Sequence, residues 1–170
     1  MNIGIAAIAS IASATGFEVP VLEFILGQSN YVCPAKSAHE ASIMIRNFQS
    51  GTLEHRATLY KWNELSLAEA NAAKTADESR IAFFNANEES PDRKIARNKW
   101  IDLSTTIPEI AAAHSAAEEN TAEEQKAINK WNDMSLDLLS TAKTIPEMRK
   151  ACNTSPDNSS AKLKCLEMMD

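Results

Sequence analysis

Residues 130–148 read KWNDMSLDLLSTAKTIPEM, and residues 99–110 carry a shorter version, KWIDLSTTIPEI. Each run sets Lys-Trp at helical spacing from apolar residues and ends in Thr-Ile-Pro-Glu. In Thr106-Ile-Pro-Glu109 and Thr144-Ile-Pro-Glu147 the threonine hydroxyl suits an N-cap, and glutamate three residues on completes a capping box. Proline is tolerated in the first helical turn, where its missing N–H would be unpaired anyway. The motif therefore predicts a helix restart: a helix carrying Lys-Trp ends, the chain bends at Thr, and a new helix begins. From Lys to Thr takes seven residues in one copy (99 to 106) and fourteen in the other (130 to 144). The difference is one heptad, which lengthens the element by two turns and leaves its apolar face pointing the same way. KWNELSL at 61–67 is a third and weaker echo. Because Trp62, Trp100 and Trp131 are irregularly spaced, the pattern predicts divergent duplication inside a bundle rather than a solenoid of fixed period.

Outward from these runs, Ser37-Ala-His-Glu40 and Thr121-Ala-Glu-Glu124 form two more capping boxes, and Ser90-Pro91-Asp92 closes one helix and opens the next. Residues 52–90 hold neither proline nor glycine, which predicts one long helix over about 52–88, and no glycine follows Gly51. The expected class is all-α: an elongated helical bundle or hairpin with that long helix, several shorter capped helices and an apolar N-terminal segment. Three segments are expected, 1–36 for assembly or membrane contact, 37–150 for the bundle with its imperfect duplication, and 151–170 for a Cys-flanked turn and short helix.

The first 28 residues, MNIGIAAIASIASATGFEVPVLEFILGQ, carry no charge before Glu18 and no Lys or Arg before Lys36, so they lack the basic start of a cleavable secretory signal. A helix over residues 3–17 would extend about 22 Å, short of the roughly 30 Å hydrocarbon core of a bilayer. Ala6, Ser10 and Ala14 recur every four positions as a seam for close helix approach, beside an apolar stripe of Ile5, Ile8 and Ile11. Two roles stay open: packing against the chain's own helices or identical subunits, and conditional membrane contact through residues 1–27.

A net charge of −6 and a pI near 5.1 argue against direct nucleic-acid binding, which needs clustered Lys and Arg. His39, His55 and His114 make no HxxxH pair, no CxxC or ExxH puts two metal ligands on one helix face, and the glycines form no phosphate loop. No metal, cofactor or catalytic residue is expected, and the chain reads as no enzyme. The tryptophans at helical spacing beside Leu and Met read as core or interface anchors in preference to a ligand-stacking surface.

Cys152 and Cys165 flank a turn-rich stretch, CNTSPDNSSAKLKC, while Cys33 stands alone. A disulfide there would close a loop of about 14 residues and contribute about 3 kcal/mol in the chain-entropy model; the other reading is three reduced, partly buried thiols. Oxidation would favour a particle-associated or extracytoplasmic location. The function expected from these features is a non-enzymatic structural or assembly component of a larger particle or machine, virion-internal, ejected or secretion-type, whose partners are its own copies or other subunits. The alternative is an extracytoplasmic helical-bundle binding module such as an adhesin, inhibitor or toxin-like effector.

Overall fold

The computed structural model describes residues 31–169, so Ile5, Ala6, Ile8, Ser10, Ile11 and Ala14 of the apolar start lie outside the described residues. Among the described residues the chain is all-helical. Its elements are α1 (Ala38–Met44), a 3-10 turn (Ile45–Asn47), α2 (Leu53–Ala72), α3 (Ala76–Asn85), α4 (Pro91–Leu103), α5 (Ile107–Ser115), α6 (Ala122–Thr141), α7 (Ile145–Asn153) and α8 (Ser160–Met169). The described residues fall into two compact units, divided between Trp62 and Asn63 inside α2.

In the first unit, Ser37 caps α1 by accepting the Glu40 N–H at 3.1 Å, while the Glu40 carboxylate takes the Lys36 N–H at 2.7 Å. Ala38 and Ala41 bury the face of this short helix, and the free thiol of Cys33 is buried. Gly51, at φ +87°, supplies the left-handed turn that leads into α2, a conformation a Cβ would strain. Tyr31 packs edge-on against Phe48 with ring centroids 5.5 Å apart, and its hydroxyl lies 3.4 Å from that of Thr58.

The helix expected over 52–88 is two helices, α2 and α3, broken at Thr75. The Thr75 hydroxyl accepts the Glu78 N–H at 3.2 Å, and Glu78 Oε2 accepts the Lys74 and Thr75 N–H groups at 2.6 and 3.3 Å. A capping box satisfies the donors that a helix start leaves unpaired, so it ends one helix and begins another without proline or glycine. The same reciprocal box opens α5 at Thr106 with Glu109 and α7 at Thr144 with Glu147, as the sequence predicts. Ser90 is the N-cap residue of α4, yet its hydroxyl makes no capping bond; Pro91 at the first turn sets the start instead.

These caps also correct the status of the third echo. Residues 61–75 form a full-length copy of residues 130–144, and the helices carrying them, α2 and α6, are 20 residues each, whereas α4 has 13. The buried positions agree as well: Thr58, Ser66 and Ala70 on α2 fall in the same frame as Ala127, Ser135 and Leu139 on α6. Small residues at most of these places let neighbouring helices approach closely.

Lys-Trp is then explained by two contacts. Lys99 Nζ donates to the Asn71 carbonyl at 2.6 Å, and Lys130 Nζ to the Ile101 and Asp102 carbonyls at 2.8 and 2.7 Å. Each lysine thus satisfies the last carbonyls of the preceding Lys-Trp helix and places a cation at its negative end. Trp100, 2% exposed, packs against Phe83 at 6.0 Å between ring centroids, and the half-buried Trp131 against His114 at 5.7 Å.

Packing in the second unit follows the chain. α3 lies on α4, α4 on α5 and α6, α5 on α6, and α6 on α7 and α8, which also pack together. Such nearest-neighbour contact is the pattern of stacked helical repeats, here hairpins α3–α4, α5–α6 and α7–α8 of unequal length. Trp100, Ile101, Ile110 and Phe83 centre one core with Ala70, Ala96, Ala113 and Ala127; Leu139, Ala151, Cys152, Ala161 and Cys165 make a second, smaller one.

Candidate functional site: an apolar groove beside Trp131

The Thr106 box opens α5 and the Thr144 box opens α7, and both helices pack on α6. Between them runs a groove of about 720 Å³. Its floor is Trp131, Met134 and Leu138 on α6, its wall is Ile107, Pro108 and Ala111 on α5, and Lys150, Thr154 and Asp137 supply polar groups at the rim. Leu138, which stands four residues after Met134 and seven from both Trp131 and Ile145, is 43% exposed; the buried seam of α6 runs one position away, through Ser135 and Leu139. Ile145, 71% exposed, lines a second groove with Met148 and Met168, of about 390 Å³.

Trp131 is held from two sides. The Trp131 indole N–H donates to the Thr154 carbonyl at 2.7 Å, and the ring edge meets His114, so one side chain ties α6 to α5 and to the end of α7. An apolar concavity with a few placed polar groups is suited to a peptide or helix that lays apolar side chains on Trp131 and Leu138 and meets Lys150 or Asp137 at the edge.

Glu123, buried on α6, binds Lys94 at 3.0 Å, and the Lys94 ammonium holds its carboxyl below the usual carboxylate range. Glu109 is likewise lowered, chiefly by the Thr105 N–H, and Glu147 chiefly by the Lys143 N–H, both as capping-box acceptors. Asp92 is raised by burial. Each of these groups has a structural cause and none faces the Trp131 groove.

Of the residues singled out from sequence, Cys152 and Cys165 are joined as a disulfide between α7 and α8. Trp100 is a core residue, Trp131 is half-buried at the groove, and Trp62 is half-buried on α2. Within the second unit Trp100 lies in the core and Trp131 reaches the groove, so these two do not share one stacking surface. Phe83 and His114, the rings that receive the tryptophans, were not legible as partners, although each stands at a constant distance after a capping threonine. No helix among the described residues is long and apolar enough to cross a membrane, and no group of three or more His, Cys, Asp or Glu there is placed to hold a metal ion. No family model, curated protein or solved structure matches the chain.

Proposed function

We propose that this chain is a non-enzymatic assembly component: a stack of capped helical hairpins that offers apolar grooves to another protein or another copy of itself, within a larger particle or machine. The observation that carries the reading is the open groove of Trp131, Met134 and Leu138 in the second unit, whose other tryptophan, Trp100, is fully used in packing. Stacked helical repeats characteristically use such surfaces for protein recognition. The apolar residues 1–27 are proposed as a second contact, with subunits or with lipid.

The test is the solution mass, by light scattering, of the full-length chain, of a truncated chain beginning at Gln28, and of Leu138→Glu, each with and without liposomes. Assembly through the groove predicts an oligomer that Leu138→Glu disperses while helix content stays unchanged. A full-length monomer that ignores liposomes and is indifferent to both changes would overturn the reading. The Cys152–Cys165 bridge supports a second reading, an extracytoplasmic binding module that acts as a monomer, and that result would favour it.

A further inference from the structure

The three hairpins share their positions, and only the last holds a covalent bond. Counted from the capping residues Thr75, Thr106 and Thr144, the first helix of each presents Phe83, His114 and Cys152 at the same place. At the separation of 13 that the two cysteines have, the second helix presents Ala96, Ala127 and Cys165, all buried. Four positions on stand Trp100, Trp131 and Met169. In the first two hairpins a ring on the short helix meets the tryptophan of the next helix, Phe83 with Trp100 and His114 with Trp131. The third hairpin has neither ring nor tryptophan, and Lys-Trp has become Met168-Met169. The cystine stands where the clasp would be, with Cα atoms 5.6 Å apart.

Little else holds α8. Among its described side chains the buried apolar ones are Ala161 and Cys165, whereas α4 buries Ala96, Trp100 and Ile101. Leu163 and Leu166 are 58% and 53% exposed, and Met168, 47% exposed, meets α7 at the open groove beside Ile145 and Met148. The polar ties are few: Asn132 Oδ1 accepts from the Ser160 hydroxyl and the Ala161 N–H at 3.0 Å each, and Lys162 Nζ donates to the Cys152 carbonyl at 3.0 Å. An element with so small a buried area opens at a cost far below that of the whole fold.

We infer that the Cys152–Cys165 bridge is a redox latch on α8, whose reduction releases α8 from α6 and α7 while the rest of the second unit stays folded. A dithiol reductant supplies two electrons and two protons: the Sγ–Sγ bond breaks, each cysteine becomes a thiol, and the reductant closes to its own disulfide. Release uncovers Leu139 and Ala151, the apolar side chains that α8 covers in the smaller core.

Amide hydrogen exchange of the full chain, read by mass spectrometry with and without dithiothreitol, tests the latch. Loss of the loop constraint predicts roughly hundredfold faster exchange in residues 160–169, with residues 76–141 unchanged. Cys152→Ser/Cys165→Ser in non-reducing buffer should reproduce the reduced pattern. Unchanged protection of α8 in either sample overturns the inference, because other contacts then hold the helix. Loss of protection across residues 76–141 overturns it too, because the bridge then supports the whole unit.

Discussion

The indole N–H of Trp131 donates to the carbonyl of Thr154, the C-cap residue of α7, at 2.7 Å, so one side chain on α6 ends the next helix but also floors the groove. Trp131→Phe keeps the apolar body and removes the donor, leaving the Thr154 carbonyl to find water. The expected cost is about 1 kcal/mol in urea unfolding. Trp100→Ala, emptying a site 2% exposed, is expected to cost about 3–5 kcal/mol, and a value near zero would contradict its place in the core.

Thr75 divides what the sequence presents as one helix. Thr75→Ala removes the hydroxyl that accepts the Glu78 N–H and is expected to destabilise the second unit by about 1 kcal/mol. Glycine at the same position should cost only a few tenths of that, since it keeps the extended backbone accessible. Paired urea titrations of the two variants distinguish a lost cap from a lost contact.

Acid should weaken this fold through its capping and ion-paired glutamates. Glu109, Glu123 and Glu147 all titrate below the ordinary value of 4.5 when folded. Their contribution is therefore fully present above that value and is lost as pH falls through the lowered folded values. Asp92 has the opposite sign: burial raises it above 3.8, so its ionisation destabilises the fold at neutral pH. Melting temperature against pH should fall toward acid in the wild type. Glu123→Gln should be less stable than wild type at pH 7 and equal to it at the acid end, and Asp92→Asn should be more stable than wild type at pH 7.

If the bridge replaces the ring clasp of the other hairpins, the clasp should be able to replace the bridge. Cys152→Phe/Cys165→Ala/Met169→Trp copies the Phe83, Ala96 and Trp100 arrangement into the last hairpin. The expected outcome is an α8 whose exchange protection no longer responds to dithiothreitol and exceeds that of Cys152→Ser/Cys165→Ser. Equal exchange in the two variants would show that the three hairpins are not interchangeable at this contact.

What the sequence by itself determined is what four to seven neighbouring residues encode. Thr106, Thr121 and Thr144 start helices because a hydroxyl, and in two cases a reciprocal glutamate, satisfies the N–H groups beside it. The heptad that separates the two Lys-Trp copies is visible in the helix lengths of 13 and 20 residues, and the pairing of Cys152 with Cys165 lies within one short hairpin. Thr75 obeys the same rule but carries Ala-Asp where the other copies carry Ile-Pro, and the missing proline hid the break. Tertiary structure alone decided the rest. Lys99 and Lys130 reach carbonyls on a different helix, Phe83 and His114 receive tryptophans across a turn, and Leu138 faces a groove while Leu139 is buried. The reason is physical: a cap is completed within one turn of backbone, whereas the partner of an apolar face is set by whichever helix the chain folds against it, and amphipathic helices of the same period do not distinguish among partners.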